Sequence, residues 1–599
     1  MRLAGQLYIA ALFVVSAVVF SPALLDYYLG SRFLVASLIC AVFAIFLITR
    51  KGAIRMPIIL PDLLILSFVA WNAISIDWAL NFGEAVFTTG RWILFASCYF
   101  LLRIILNHDH DVVFKFISRI SVLATAVLLC ALYLALVQLV MDKGYTTRNL
   151  YEIKIIFGHK SVTSAFLLLL VPFNLLQWHS TKGSRRQLLL ILITLQMLMI
   201  LLLQSRAIYL ASFSFACVMI WYFISSYDGA FWKSRPFRYS TAFIVLLLGG
   251  VLSINNELRD RLNPLNYSGS QTAYERKVVW SRTWDLTMDH LAKGVGSGNW
   301  KLQFPQHGVE RVYRMQYQDV VFTRAHNDFL ETAAELGVPG ILLYLGMLLF
   351  PLFLALSFRK RDPWKSHLLS GSLFAFIIVS FFDFPKERIE MLILLAFVLS
   401  MTSQIQMTKS KRPLLFLQST WLAVVILILM ALNICVGAVR YRAEIGMRSV
   451  LLERRAENWN KIITKIEEIH SPLYSLDPSS MPLRFYQGIA YYNLDNLDKA
   501  EETFKSALDA SPYNFHVINN LATVYIRQQR CPEALILLDR ALELNSLFDE
   551  ALFNSAYCLH TLGRYDEALE KVMQVPQESE RKRQFILEIS KAIEMKSNN

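Results

Sequence analysis

Long apolar runs, separated by short polar stretches, occupy most of the chain. They recur from Leu3 to about Gly437, and each approaches the roughly 20 residues that a helix needs to cross the hydrocarbon of a bilayer. From about Ala443 onward the sequence is charged and periodic. The pattern predicts an all-α protein, a polytopic membrane bundle followed by a soluble helical tail, with about 13 spans expected at about 4–24, 32–49, 59–76, 87–106, 113–141, 162–179, 187–204, 207–224, 239–255, 328–357, 367–383, 389–404 and 414–438.

The same pattern divides the chain into three regions. Residues 1–442 are predicted to form a polytopic membrane domain with a large outer loop at about 256–327. Residues 443–480 are predicted to form a helical connector, and residues 481–599 a soluble domain. The composition agrees, because a chain of 599 residues that is 55% hydrophobic, with a mean hydropathy of +0.42, is too apolar for a soluble protein.

The net charge of +13 follows from the loops between the apolar runs. Lys and Arg accumulate in the cytoplasmic loops of membrane proteins, and this bias accounts for the excess without a nucleic-acid partner. The basic loops alternate along the chain, which predicts a cytoplasmic N-terminus. With an odd number of spans the tail lies outside, in the periplasm of a Gram-negative cell. The basic residues on the predicted inner side are Arg50, Lys51, Arg55, Lys182, Arg185, Arg186, Lys233, Arg235, Arg238, Arg359, Lys360, Arg361, Lys365, Lys409, Lys411 and Arg412.

The tail repeats itself with a period of about 34 residues. Small residues recur at fixed positions, where they let antiparallel helices pack closely, and the pattern resembles tetratricopeptide repeats from about 481 to 582. Solenoids of this kind present a concave surface, so a protein partner on that surface is predicted. The equivalent positions are Gly488, Ala522 and Ala556 in one set and Ala500, Ala534 and Ala568 in another.

Several cationic side chains fall on the predicted outer side, near the ends of membrane spans. Arg206 follows a Gln-Ser turn between two apolar spans, where a charge is costly unless it is solvated or paired. Guanidinium groups bind phosphate oxygens through two parallel hydrogen bonds, so cations that converge from separate loops predict a diphosphate site. The alternative is an arginine that only extends to the membrane surface.

His326 stands where a long polar loop enters an apolar span. A neutral imidazole there can take a proton from a hydroxyl group near neutral pH. The stretch Gly337-Val338-Pro339-Gly340 follows within the same span, and we expect it to kink the helix or to permit close packing. The His-bearing end of the helix would then bend over a cavity. A histidine without a chemical role is the competing interpretation.

These residues resemble the O-antigen ligase family, which shares its fold with the O-antigen polymerases and the bacterial protein O-oligosaccharyltransferases. The resemblance covers roughly residues 150 to 405. The family motif at the outer end of a late span, His-Asn followed by Gly-x-x-Gly, is matched in full by His326, Asn327, Gly337 and Gly340.

Three further segments are similar to the family. "QSRAIYLAS" resembles its Ser-Arg turn and maps the arginine onto Arg206. "GHKSVTSAFLLLLVPF" resembles its Gly-His-Lys/Arg-Asn segment, except that Ser161 replaces the usual Asn, which leaves the role of that position in doubt. "AYERKVVWSRTWDLTMDHLAKGVGSGNW" resembles an Arg-x-x-x-Trp segment and the following Gly-x-Gly, with Arg276, Trp280, Gly294, Gly296 and Gly298.

The resemblance implies a glycosyltransferase that moves a glycan from undecaprenyl diphosphate to an acceptor hydroxyl, with inversion and without a metal or other cofactor. His326 is implied as the general base, with His159 as the alternative, and Arg206 and Arg276 as the groups that neutralise the leaving diphosphate. The residues implied in donor or acceptor binding are Lys160, His159, Arg324, Arg388 and Asn327.

Three acceptors compete within this family. Lipid A-core corresponds to an O-antigen ligase, Ser or Thr to a protein O-oligosaccharyltransferase, and another glycan to an O-antigen polymerase. The motif match favours the ligase. The repeat tail, which is predicted to bind protein, makes a protein acceptor the second interpretation. Outside the enzymes stand a lipid-linked-glycan transporter and a membrane-anchored scaffold, although the sequence lacks the internal hydropathy repeats typical of transporters. The expected location is the bacterial inner membrane, with the active site and the tail on the periplasmic side.

Overall fold

The computed structural model describes residues 1–52, 54–146, 148–153, 157–226, 271–309, 312, 322–407 and 415–597. The predicted span at 239–255 and the predicted inner basic residues at 233–238 and 409–412 lie outside these residues. The helices are α1 (Arg2–Val18), α2 (Leu29–Thr49), α3 (Leu60–Ile74), α4 (Phe82–His108), α5 (His110–Lys143), α6 (Lys160–Ser180), α7 (Ser184–Leu202), α8 (Arg206–Ser226), α9 (Gln271–Asp289), α10 (Trp300–Gln303), α11 (Asp328–Ser357), α12 (Pro363–Phe382), α13 (Ile389–Met407), α14 (Ser419–Arg455), α15 (Trp459–Ile469), α16 (Leu483–Asn493), α17 (Leu497–Ala510), α18 (Phe515–Arg527), α19 (Cys531–Leu544), α20 (Asp549–Thr561), α21 (Tyr565–Met573) and α22 (Glu580–Ser597).

The predicted helical membrane bundle is confirmed. Within the described residues, 10 helices are long and apolar enough to cross a membrane, and two shorter apolar helices, α1 and α13, accompany them. Every predicted span inside the described residues overlaps one of these helices. Helix α4 is almost entirely buried and forms the centre of the bundle, with α2, α13 and α14 against it.

A small antiparallel sheet joins two polar loops, and the sequence analysis did not predict it. Strand β1 (Arg55–Ile58) pairs with β2 (Leu415–Gln418), so that Arg55 lies opposite Gln418. Four-residue strands carry too short an alternation to stand out beside membrane helices. The pairing brings together the loops before α3 and before α14, and it marks one end of the bundle.

Charged side chains buried within the bundle are paired. Arg103 of α4 lies 3.1 Å from Asp62 of α3, and both are fully buried. Arg32 of α2 lies 2.9 Å from Glu390 of α13 in an equally closed environment. A charge at this depth is tolerated only with a partner, so these pairs fix how the helices meet.

The tail consists of paired antiparallel helices, as the repeat predicts. Gly488 on α16 faces Phe504 on α17, and a Cβ at this glycine would come within 2.8 Å of the ring. The recurring small residue therefore permits close helix packing. Helix α14 continues without a break across residue 442, and the predicted domain boundary there falls inside one continuous helix.

The tail shares one hydrophobic core with residues 271–309, the described part of the predicted outer loop before α11, called the outer segment below. Val279, Trp300 and Phe304 of this segment belong to the same buried cluster as the repeat helices. The backbone joins them as well, because Val309 N–H donates to the carbonyl of Leu544 at the end of α19 over 2.8 Å. The repeats are thus packed against the membrane domain and are not attached to it only through a linker.

Candidate functional site

A cavity of about 520 Å³ opens among the loops at the end of the bundle opposite the small sheet. Helix α4 gives the direction: Glu84 near its start lines the cavity, and Asn107 near its end donates to the carbonyl of Arg55 in β1 over 3.1 Å. The acidic residues, basic residues and histidines of the lining are Asp26, Glu84, His159, Arg276, Lys301, Arg324, His326, Asp383, Glu387, Arg388, Arg440, Glu444 and Asp477.

Five of the eight predicted site residues line this cavity: His326, Arg276, His159, Arg324 and Arg388. They come from four separate parts of the chain, as the convergence of outer loops predicts. The described part of the lining does not include the other three, which are Lys160, Arg206 and Asn327.

His326 has a left-handed backbone conformation, with φ of 54°. Such a conformation is uncommon for a residue with a side chain, and histidine is one of the types that adopt it most readily. Bonds on both sides hold it there. Ala325 N–H donates to Glu331 over 2.7 Å, and the Asn327 side chain accepts from the N–H groups of Phe329 and Leu330 at the start of α11.

Asp383 is a carboxylate that lies close to His326 and was not among the predicted site residues. Its Oδ1 lies 3.9 Å from His326 Nδ1. Burial raises the pKa of Asp383, while Arg276 and Arg388 act in the opposite direction. Asp383 lies in the outer turn "FFDFPKERIEM". Its position next to a Phe-Pro turn gives no period or motif from which the pairing with His326 follows.

The expected break in α11 lies at Gly337, where φ is 65° and ψ is −167°. The segment before α10 fills the break. Val295 N–H donates to the carbonyl of Ala334 over 2.9 Å, and Gly296 N–H to that of Glu335 over 2.8 Å. A Cβ on Gly294 would approach the backbone of Glu335 to 2.2 Å. The two glycine motifs therefore contact each other through their backbones, and this contact fixes the His-bearing end of α11.

The Arg-x-x-x-Trp spacing places two side chains on one face of α9. Trp280 Nε1–H donates to the carbonyl of Ala325 over 3.0 Å, which anchors α9 to the residue before His326. Arg276 lies one turn earlier and lines the cavity. No carboxylate of a described residue lies within 4 Å of its guanidinium, although its charge acts on the nearby Asp383.

Other cations of the cavity have carboxylate partners. Arg324 lies 2.6 Å from Glu387, which also pairs with the buried Arg91. Burial tends to raise the pKa of Glu387, but Arg324 and Arg91 outweigh it and lower that pKa to about 2. Arg388 lies 3.8 Å from Asp26 and donates to the carbonyl of Phe157. Arg324 thus holds the cavity wall together, and Arg388 ties it to the loop before α2.

His159 caps the start of α6, with Nδ1 accepting from Ser161 N–H over 3.2 Å. Burial, together with the charges of Arg388, Lys160 and Arg276, lowers the pKa of His159 to about 4. The adjacent Lys160 is buried, and its ammonium group lies 4.2 Å from the centre of a tyrosine ring. The family's usual Asn is replaced by Ser161, whose backbone is what contacts His159.

Arg206 is the first residue of α8 and is half-buried. It follows a turn in which Gln204 has a φ of 52°, so the Gln-Ser-Arg stretch is a tight reversal between two membrane helices.

Part of the cavity wall comes from beyond the segment that carries the family motifs. Arg440 of α14 lines it, and so do Tyr474 and Asp477 of the loop after α15. None of the three stands out in the sequence, because Arg440 adjoins and Tyr474 and Asp477 occur in a charged connector, where polar side chains are common.

The O-antigen ligase family model matches residues 188–345, and tetratricopeptide-repeat models match residues 487–514 and 519–576. The chain is 26% identical over 114 residues to the peroxisomal targeting signal receptor of Candida glabrata and 30% identical over 110 residues to that of Saccharomyces cerevisiae. These matches cover 19% and 18% of this chain, and the chain spans only 19% and 18% of the length of those receptors.

Two solved structures are similar to about a quarter of the chain or less. The first TPR of Spaghetti bound to an HSP90 peptide has 21% identity and a TM-score of 0.19, and the match covers 20% of this chain and 97% of that one. MamA from MSR-1 has 19% identity and a TM-score of 0.22, and the match covers 25% of this chain and 87% of that one.

Proposed function

The chain carries an O-antigen ligase region followed by tetratricopeptide repeats, and from this premise we propose that it is a membrane glycosyltransferase of the ligase type. It moves a glycan from undecaprenyl diphosphate to a hydroxyl of lipid A-core, on the periplasmic face of the bacterial inner membrane. The observation that carries the proposal is the convergence of His326, Asp383, Arg276, His159 and Arg388 at one cavity.

In the proposed reaction the acceptor oxygen attacks the anomeric carbon of the glycan. The bond from that carbon to the diphosphate oxygen breaks, and its electron pair leaves with undecaprenyl diphosphate. His326 takes the acceptor proton as general base, a role worth typically 10²–10⁴-fold in rate. Asp383, whose Oδ1 lies 3.9 Å from Nδ1, stabilises by its charge the imidazolium that forms.

The cations of the cavity stabilise the charge that grows on the leaving diphosphate. Arg276 is the best placed, because its guanidinium lacks a carboxylate partner among the described residues and α9 is anchored beside His326. Arg206 has the same predicted role from the start of α8. Well-aimed donors of this kind contribute a few kcal/mol each in a site shielded from water.

The remaining predicted residues act through these groups. Asn327 caps α11 next to His326, and Lys160 adjoins His159. Arg324 and Arg388 hold the wall through Glu387 and Asp26, and they bind donor or acceptor from there.

The proposal is tested by reconstituting the purified chain with a lipid-diphosphate glycan and three acceptors: lipid A-core, a Ser/Thr-containing protein and a free glycan. We expect transfer to lipid A-core and a loss of roughly 10²–10⁴-fold in His326→Ala. The matched control is His290→Ala, an exposed histidine at the end of α9 in the same outer segment, which keeps full activity. Equal transfer by His326→Ala removes His326 as the base, and no transfer by the wild-type chain contradicts the proposal.

A further inference from the structure

The connector loop, residues 470–482, closes one side of the cavity although it lies in the part of the chain that joins the membrane helices to the repeats. Tyr474 and Asp477 of this loop line the cavity together with Arg440 of α14. All three lie beyond residues 150–405, which carry the four motif segments. The connector loop and the end of α14 therefore add wall residues to a cavity that the motif segments line only in part.

The connector loop is docked on the start of α4. Arg440 lies 2.9 Å from Glu84 and donates to the carbonyl of Leu473 over 3.2 Å, so it joins a membrane helix to the loop. Asn81 donates to Ser475 Oγ over 2.9 Å. The approach is so close that a Cβ on Gly83 would meet the carbonyl oxygen of Pro472 at 2.7 Å. These contacts hold the loop in place at the side of the cavity.

Tyr474 is the residue of this loop that points to a ligand. Its side chain is 2% exposed, its ring packs 5.4 Å from the Arg440 guanidinium carbon, and its hydroxyl has no hydrogen-bond partner among the described residues. A buried hydroxyl without a partner is destabilising, because it loses its hydrogen bonds to water and forms none within the protein. The carboxylate of the nearby Asp477, in contrast, has hydrogen-bond partners: it accepts from Tyr486 Oη and from Met481 N–H.

Two sets of polar groups can be distinguished in the cavity lining by their charge. One contains His326 and Asp383 with the cations Arg276 and Arg388 and the neutral His159. It suits the diphosphate and the reacting atoms.

The other set, which we call the connector set, contains Glu84, Lys301, Arg440, Tyr474 and Asp477. Glu84 lies 2.7 Å from Lys301 and 2.9 Å from Arg440, so the cations of this set are bound to a carboxylate. The other polar and aromatic groups of this set are the buried hydroxyl and ring of Tyr474 and the buried carboxyl of Asp477. These groups suit a ligand that is rich in hydroxyl groups and carries little charge at that point.

We infer that the connector set is the acceptor-sugar subsite, in which Tyr474 hydrogen-bonds to a hydroxyl of the acceptor glycan next to the one that attacks. The inference rests on the proposed function for the identity of the reaction, and it adds a residue that determines acceptor specificity. It also gives the connector a role in binding substrate that is separate from any partner on the repeats.

The test uses the full chain and the conservative variant Tyr474→Phe, which removes the hydroxyl that has no hydrogen-bond partner in the described part of the chain and leaves the ring packing. The control is Tyr525→Phe on α18, a buried tyrosine of the repeats that does not line the cavity. Calorimetry without donor measures the binding of the core oligosaccharide released from lipid A. Steady-state transfer to intact lipid A-core measures the Michaelis constants of acceptor and donor. Losing one hydrogen bond predicts a rise of roughly 3- to 10-fold in the oligosaccharide Kd and in the acceptor KM.

The expected result is this rise in Tyr474→Phe alone, with the donor KM unchanged. Unchanged binding in Tyr474→Phe, or an increase confined to the donor KM, overturns the inference. Failure of the wild-type chain to bind the oligosaccharide, while it transfers glycan to a Ser/Thr-containing protein, overturns it and leaves glycan transfer intact. If no acceptor is glycosylated, the proposed function fails, but the binding arm still decides whether Tyr474 contacts a sugar.

Discussion

At the scale of single residues, two histidines share the cavity but differ in what their surroundings allow. His159 is a helix cap among three cations, and its pKa is lowered to about 4. His326 lies 3.9 Å from Asp383 and in a left-handed conformation held by the bonds of its neighbours. A nearby carboxylate stabilises the protonated form of a general base, and among the described residues His326 has one within 4 Å whereas His159 has none.

This difference predicts the pH dependence of transfer. Activity that depends on a neutral histidine falls as the pH drops through the pKa of that histidine. Because the pKa of His159 is about 4, its protonation cannot produce an acidic limb above about pH 5. We expect His159→Gln to leave the midpoint of the acidic limb of kcat/KM unchanged. A wild-type limb near pH 4 that disappears in this variant would assign the base to His159.

The residues differ in how far the sequence predicts them. His326 and Arg276 belong to local motifs, and the structure brings both to the cavity. Asp383 and Tyr474 are single polar residues in turns, and each contacts its partner, His326 and Arg440 respectively, across more than 30 residues of the chain. Such contacts leave no trace in a local pattern.

At the scale of elements, α11 is a helix in two parts. Its break at Gly337 frees carbonyl groups that the segment around Gly294 and Gly296 then binds. The conformation of Gly337 lies in a region that is essentially restricted to glycine. The expected kink is thus present. It provides carbonyl groups to which another segment binds, and the sequence of α11 alone does not predict this contact.

We expect Gly337→Ala to destabilise the protein by at least about 2 kcal/mol, through backbone strain and contact with the carbonyl of Leu291. The measurement is the unfolding midpoint in detergent, together with glycan transfer. The control is Gly346→Ala in the same helix, where a Cβ meets only the flexible end of Leu64 at 3.3 Å. Equal stability of the two variants would contradict the proposed role of the break.

The apolar runs predict the membrane helices well because burial in lipid demands a long continuous signal. The same logic explains why β1 and β2 were missed: the sheet joins four-residue segments that are far apart in the chain and need no lipid-facing pattern.

At the scale of the whole molecule, the site and the repeats lie at one end and the small sheet at the other. Basic residues such as Lys51 and Arg359 fall at the sheet end, in keeping with the charge bias of cytoplasmic loops.

This arrangement predicts which positions are accessible from each side of the membrane. In a chain whose native cysteines are replaced, Asp495→Cys between α16 and α17 should react with a membrane-impermeant maleimide from the periplasm. Lys51→Cys next to β1 should react only after the inner membrane is opened; both side chains are exposed, so accessibility to the reagent decides the outcome. The reverse labelling pattern would invert the proposed orientation.

The common core of the outer segment and the repeats has a consequence for how such a chain can be recombined. Phe304 and the repeat helices bury the same apolar surface, and the loop after α15 supplies part of the cavity. The tail therefore cannot be exchanged between relatives as an independent domain. A chimera that receives the repeats of a relative must receive the matching outer segment and connector as well, or it inherits an open cavity and an exposed hydrophobic face.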